Sequence, residues 1–215
     1  LRVAPLTPVS IWLPMNTLAN PVSKLPDVGT TIFTVMSALA SEQGALNLSQ
    51  GFPDFDGPEA LLQAVNAHIR SGQNQYPPMA GVAALREAIA AKVSNLYGLA
   101  CDADTEITVT AGATEALFCA IAAVAHAGDE VIVLDPAYDS YDPVIRLQGA
   151  VPVHVSLMAP AYRIDWDRIE AAITANTRLL ILNSPHNPTG MVMDEDDIAS
   201  LSALCAMNDI YLIGD

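Results

Sequence analysis

The second half of the chain alternates short apolar runs with longer stretches in which apolar residues recur at helical spacing. Runs of about four to eight residues rich in Val, Ile and Leu are typical of buried strands. Predicted strands are 106–110, 129–134, 151–157, 177–183 and 209–215. Predicted helices between them are 113–128, 139–149, 165–173 and 194–208.

This alternation predicts an α/β fold with a mainly parallel sheet and helices on both faces, because parallel strands need crossover connections. In such a sheet, ligands bind beyond the carboxyl ends of the strands. Four segments occupy such positions: AGAT, PAYDSY, SPHNPTG and the final Asp215. We therefore expect the functional side chains in these four places.

The first hundred residues have a different pattern, in which helices alternate with loops rich in Gly, Pro and Asp. Apolar residues at helical spacing predict helices over 29–43, 59–70 and 82–98. We predict three regions along the chain: an N-terminal segment 1–28, a helical region with active-site loops 29–100, and a large domain 101–215.

Both ends of the sequence influence what we expect of the chain as given. The first residue is Leu1, whereas Met15 opens a better start, MNTLANPVSKLP, so we expect residues 1–14 to be non-native. Asp215 follows the apolar run IYLIG without a turn or a polar tail. We expect an N-terminal fragment whose large domain is incomplete.

Composition and charge argue against several classes of partner. The chain is 52% hydrophobic and carries a formal charge of −15, from 9 Lys and Arg against 24 Asp and Glu. Such an acidic chain repels nucleic acid and anionic membrane surfaces. The 3 cysteines show neither a disulfide framework nor metal-site spacing. We expect a globular cytoplasmic protein without nucleic acid, membrane or metal partners.

Two of the four strand ends carry small or aromatic residues. In TAGATEALF, Gly112, Ala113 and Thr114 lie between a strand and a helix, where free N–H groups favour a phosphate. The alternative is an ordinary turn with Thr114 as the helix cap. In DPAYDSYDP, Tyr138 can stack on a flat heterocycle or belong to the core, and Tyr141 competes with it for either position.

The other two strand ends are strongly polar for their position. In LLILNSPHNPTG, Asn187 offers an amide that can donate to a phenolate-like oxygen. His186 has no partner carboxylate nearby in sequence, so we interpret it as solvated or structural. Asp215 ends an apolar strand, where a carboxylate needs a cation, such as a protonated ring nitrogen, or several donors. A helix N-cap is the alternative for Asp215.

Taken in order, these sites resemble the pyridoxal-phosphate enzymes of fold type I, and specifically the class I/II aminotransferases. The branch it most resembles contains the methionine and kynurenine/glutamine aminotransferases, over roughly residues 22–215. The resemblance rests on the motifs LNLSQGFPDF, NQYPPMAGVAALREAIA, ITVTAGATEALF, GDEVIVLDPAYDSYDP, LLILNSPHNPTG and IGD.

The resemblance implies a cofactor role for each matched position. Gly112, Ala113 and Thr114 hold the phosphate of pyridoxal 5'-phosphate. Tyr138 stacks on the pyridine ring and Asn187 bonds its 3-oxygen. Asp215 pairs with the ring nitrogen and keeps it protonated.

The resemblance also implies features outside the cofactor ring. Gly51 borders the substrate carboxylate, and Tyr76 reaches the phosphate of the neighbouring subunit, which implies a homodimer. In the family, the Schiff-base lysine and two ligand-binding arginines follow the position of Asp215. Neither Lys24 nor Lys92 is placed to replace that lysine, so we expect the chain as given to be inactive.

The implied activity is the transfer of an amino group from a neutral amino acid, namely methionine, glutamine or an aromatic one, to a 2-oxo acid. The motif loops supply no cation for an acidic side chain. A carbon–sulfur β-lyase shares these cofactor residues and remains an alternative. A second alternative is a non-catalytic cofactor-binding module, such as the effector domain of a transcription regulator. That arrangement would need a basic DNA-binding domain upstream, and only about twenty-eight residues precede the first helix.

Overall fold

Four parallel strands form the central sheet of this computed structural model, which describes residues 22–51 and 53–215. The strands are β1 (Glu130–Asp135), β2 (Val151–Ser156), β3 (Thr177–Leu182) and β4 (Tyr211–Gly214). Their order in the sheet is β2-β1-β3-β4, and each neighbouring pair is parallel. The predicted parallel α/β architecture is therefore confirmed.

The helices precede the sheet or connect its strands. Those before the sheet are α1 (Ile32–Glu42), α2 (Glu59–Arg70), α3 (Ala83–Tyr97) and α4 (Ala113–Val124). Those between strands are α5 (Tyr141–Leu147), α6 (Trp166–Ala172) and α7 (Glu195–Met207). Each lies within a predicted helical segment, although α4 ends at Val124 where the prediction ran to residue 128.

Alternate residues of the central strands face opposite sides of the sheet, and each side has its own core. The core beneath α4 and α5 includes Val131, Val133, Leu179 and Ile181. The core beneath α6 and α7 includes Ile132, Leu134, Leu180 and Leu182. Because β1 and β3 are buried on both faces, their sequences are continuous apolar runs rather than alternating ones.

The first predicted strand, residues 106–110, is wrong, since the structure assigns no strand there. A strand exists only as part of a hydrogen-bonded ladder, and no other strand in the described part of the chain pairs with this segment. Instead, the N–H group of Val109 donates to the carbonyl of Ala80 over 3.0 Å. The segment is an irregular connection leading into α4.

The helices before the sheet differ in how firmly they are anchored. Within the described residues, α1 and α2 contain no buried side chain. In α3, the buried Arg86 donates to the carbonyls of Gly81 and Ala103, and its guanidinium lies 3.0 Å from the carboxylate of Asp104. These contacts tie α3 to the connections on either side of it.

Two sequence predictions concern regions that the fold does not test. The segment 1–14, predicted to be non-native, lies outside the described residues. The predicted boundary near residue 100 stays a prediction.

Among the helices that are described, none has both the length and the apolar character needed to cross a membrane.

We expect Gly81→Ala to destabilise the fold. Gly81 has φ +98°, and a Cβ added there would lie 2.7 Å from Cγ2 of Val109. The substitution therefore adds backbone strain and a steric collision. We expect the free energy of unfolding to fall by more than about 1 kcal/mol in urea denaturation.

The matched control is Gly29→Ala, because an added Cβ there meets no atom within 4 Å and its φ lies outside the left-handed region. An equal loss of stability in the two variants would contradict the role assigned to Gly81.

Candidate functional site

The carboxyl ends of β1, β3 and β4 lie side by side at one edge of the sheet. β1 leads to Tyr138, β3 leads to the loop 183–190, and β4 leads to Asp215. The first turn of α4 reaches the same edge, since a cavity of about 230 Å³ is lined by both Ala113 and Asp215. The topology therefore brings the four predicted segments to one place.

Asp215 is held by side chains from two neighbouring elements. The hydroxyl of Tyr141 donates to Oδ2 of Asp215 over 2.5 Å. Nδ2 of Asn183 donates to the backbone carbonyl of Asp215 over 3.0 Å, and the N–H group of Asp215 donates to Leu182 over 2.8 Å. The residue is nevertheless exposed, so its carboxylate can still accept from a ligand.

Of the two tyrosines that follow β1, Tyr138 and Tyr141, it is Tyr141 that belongs to the hydrophobic core. It is 3% exposed, and its ring meets Tyr138 edge to face with centroids 5.7 Å apart. Burial raises the pKa of Tyr141, and the hydrogen bond to Asp215 raises it further. The hydroxyl therefore stays protonated and donates to Asp215 at neutral pH. Tyr138 is only partly buried, which leaves its ring as the one that can stack on a ligand.

The loop after β3 forms a short polar network. The N–H group of Asn187 donates to Oδ1 of Asn183, and Nδ2 of Asn183 donates to the backbone carbonyl of Asp215. His186 is buried, its Nδ1 lies 2.8 Å from Oγ1 of Thr189, and burial lowers its pKa. His186 is therefore structural rather than solvated. Asn187 itself is exposed, so its amide is accessible to a ligand.

The N terminus of α4 has no side-chain cap. Gly112 is the N-cap residue, with φ +88°, a conformation that glycine adopts without strain. Thr114 lies within the first turn of the helix, so the alternative in which it caps the helix is wrong. Free N–H groups at the start of a helix attract anions. The start of α4 can therefore bind a phosphate at the edge where Asp215 lies.

Two predicted site residues lie apart from this group. Tyr76 is 100% exposed, so it packs against none of the residues that the structure describes. Gly51 is exposed, and nothing lies within 4 Å of a Cβ added there. The roles implied for Tyr76 and Gly51 stay predictions.

The sequence motifs do not single out Asn183, and they indicate Tyr141 only as a competitor of Tyr138 for stacking or for a place in the core. Leu182 pairs with Gly214 in the parallel register of β3 and β4, so the residues that follow them, Asn183 and Asp215, lie opposite each other. This neighbour could have been found from the sequence only if the pairing of β3 with β4 had been known.

The family model for aminotransferase class I and II matches residues 43–215. The chain belongs to this family. A methionine aminotransferase from Escherichia coli (strain K12) is 54% identical over 195 residues, which make up 91% of this chain and 50% of that protein. The chain thus spans about half the length of that aminotransferase.

Solved structures of the family share this fold. YbdL from Escherichia coli, described with a methionine aminotransferase function, has a TM-score of 0.88 and 54% identity, covering 92% of this chain and 52% of its own. Aspartate aminotransferase from Thermus thermophilus, with maleate, has a TM-score of 0.84 and 35% identity, covering 92% and 53%. These similarities confirm the resemblance to class I/II aminotransferases and the parallel α/β fold.

We expect Tyr141→Phe to lower the free energy of unfolding by about 1 kcal/mol, because the variant loses the hydrogen bond to Asp215 while keeping the buried ring. The measurement is urea denaturation at pH 7. Tyr138→Phe is the control, since the described part of the chain shows no hydrogen bond from its hydroxyl. A loss as large in Tyr138→Phe would contradict the assignment.

Proposed function

We propose that the protein to which this chain belongs is a pyridoxal-phosphate-dependent aminotransferase acting on a neutral amino acid and a 2-oxo acid. The observation that carries the proposal is the cavity shared by the uncapped start of α4 and the carboxylate of Asp215. Membership of the aminotransferase class I and II family supports it independently.

The residues at this edge fit pyridoxal phosphate in charge and in shape. The N–H groups of Ala113 and Thr114 suit a phosphate dianion, because the helix N terminus carries a partial positive charge. Gly112 would border the phosphate as the N-cap residue, since its own N–H group donates to the carbonyl of Thr110. The half-buried ring of Tyr138 suits stacking on a pyridine ring, and Asn187 suits its 3-oxygen. When bound, the cofactor supplies an electron sink for the substrate carbanion.

Asp215 and its neighbours provide the electrostatic part of the site. The carboxylate of Asp215 would accept a hydrogen bond from the protonated ring nitrogen of the cofactor and would so favour the protonated ring. The hydroxyl of Tyr141 fixes Oδ2, and Asn183 fixes the backbone, so the carboxylate keeps one orientation. The buried ring of Tyr141 keeps water from the inner side of this contact.

The cations of the described residues support a neutral substrate. No lysine or arginine of the described chain lines the cavity beside Asp215. Most arginines are paired with carboxylates elsewhere, as Arg146 is with Asp27 at 2.6 Å and Arg86 is with Asp104 at 3.0 Å. The chain is 54% identical to the methionine aminotransferase and 35% identical to the aspartate aminotransferase, which also supports a neutral substrate.

We further infer a cytoplasmic homodimer. Tyr76 projects fully exposed from its own chain, as a residue that serves a neighbouring subunit would.

Gly51 would border the substrate carboxylate through its backbone. Lys24 and Lys92 are exposed, and we place the lysine that binds the cofactor after Asp215 in the full-length protein.

In the full-length protein, we expect Asp215→Ala to lower kcat by at least about 100-fold, because the group that stabilises the protonated ring is lost. Cofactor affinity should fall far less, since the start of α4 and Tyr138 remain. Steady-state turnover and cofactor titration by absorbance measure the two effects. Asp167→Ala is the control, as Asp167 is exposed on α6. Wild-type kcat in Asp215→Ala would contradict the proposed role.

For the substrate, we expect methionine, glutamine or phenylalanine to be preferred over aspartate as the amino donor. The reason is that an acidic side chain needs a cation, and the described wall of the cavity has none. The measurement compares kcat/KM for these four donors with one 2-oxo acid acceptor. Aspartate with the highest kcat/KM would overturn the substrate class and leave the cofactor assignment standing.

A further inference from the structure

His154 lies between two carboxylates on the edge strand β2. Its Nδ1 is 3.0 Å from Oδ1 of Asp135, and its Nε2 is 3.3 Å from Oδ2 of Asp142. A neutral imidazole has one N–H group, whereas the imidazolium has two. Because each ring nitrogen faces an acceptor, only the protonated ring donates to both carboxylates.

The surroundings of His154 favour this protonated form. Burial lowers the pKa of His154, but the hydrogen bond with Asp135 and the charges of Asp142 and Asp135 outweigh it, so the pKa is raised above 6.5. On α5, Arg146 also interacts with Asp142, although its guanidinium is paired with Asp27 at 2.6 Å. The two nearest charged groups are therefore negative.

The remaining element packed on β2 lies on its other face. α6 contacts that face through Ile169, which shares a core with Val155. Successive side chains of a strand point to opposite faces, so His154 faces α5 instead. The charged residues of α6, which are Asp167, Arg168 and Glu170, are therefore separated from the imidazole by the sheet.

The two carboxylates belong to elements that carry the candidate site. Asp135 is the last residue of β1, three positions before Tyr138. Asp142 lies in the first turn of α5, directly after Tyr141, whose hydroxyl donates to Asp215. A contact that joins Asp135 to Asp142 therefore fixes the start of α5 relative to the end of β1.

We propose that His154, as an imidazolium, is a positioning residue that clamps the first turn of α5 to the end of β1 and so holds Tyr141 in contact with Asp215. Its effect on cofactor binding rests on the proposed function, whereas its effect on Tyr141 does not.

The stabilising effect of His154 should decrease as the pH rises. A histidine whose pKa is raised on folding contributes stability that is fully present below pH 6.5 and is lost as the pH rises through the raised value. Above that value the neutral ring donates to one carboxylate only, and Asp135 and Asp142 repel each other. The contact of Tyr141 with Asp215 should loosen over the same range.

The first test follows the two residues by NMR in the full-length protein without cofactor. The protein is labelled with 13C at Cε1 of histidine and at Cζ of tyrosine. The signals of His154 and Tyr141 are assigned by their loss from the spectra of His154→Gln and Tyr141→Phe. We expect His154 to titrate above pH 6.5 and the Tyr141 signal to shift with the same midpoint. In His154→Gln that shift should vanish, whereas His68→Gln, a change in an exposed histidine of α2, should leave it intact.

A titration of His154 at or below pH 6.5, or a Tyr141 signal that stays constant through that titration, would overturn the clamp. Asp142→Asn, in the first turn of α5, provides a second variant that removes one carboxylate and keeps a side chain of similar size. It should lower the midpoint of His154 and uncouple Tyr141 from it.

The second test measures pyridoxal phosphate affinity by absorbance titration of the full-length protein. Since partly exposed ion pairs contribute little, we expect His154→Gln to weaken affinity by about two- to fivefold at pH 6.5, with the difference vanishing above the midpoint of His154. Unchanged affinity at pH 6.5 would overturn the positioning role. If no form of the protein binds the cofactor, the proposed function fails, and the Tyr141 signal still decides the clamp.

Discussion

Parallel pairing of β1, β3 and β4 is the constraint on which the candidate site depends. β1 and β3 are buried along their length, so polar groups can follow them only where they leave the sheet. Parallel register places these exits side by side, as the pairing of Leu182 with Gly214 shows for β3 and β4. Residues far apart in sequence thus meet at one edge, and the shared cavity with α4 extends that edge to a helix N terminus.

The contacts around Asp215 show how the fold orients the side-chain carboxylate that follows β4. Tyr141 is buried and its raised pKa keeps it a donor, so it orients Oδ2 without neutralising the carboxylate. Asn183 holds the backbone and also accepts from Asn187, which links the loop after β3 to the end of β4. One side of the carboxylate is fixed by the protein, while the exposed side is left to a ligand.

The aspartates of this chain are paired with arginines in some places and with a histidine in another. The chain is strongly acidic, and several of its described arginines pair with aspartates, as Arg146 does with Asp27 and Arg86 does with Asp104. Near the site, the excess of carboxylate is balanced instead by His154 between Asp135 and Asp142. Because the pKa of His154 is raised above 6.5, this pairing is complete below pH 6.5 and is lost as the pH rises through the raised value.

The sequence alone determined the parallel α/β class, the helices and four of the five predicted strands, because continuous apolar runs and helical spacing are local patterns. Motif order likewise identified the family and the residues that follow each strand. Segment 106–110 shows the limit, since a ladder needs a partner strand that local pattern cannot supply. Only the tertiary structure decided that Tyr141 and Asn183 hold Asp215 and that His154 bridges two carboxylates, because sheet order and register set those distances.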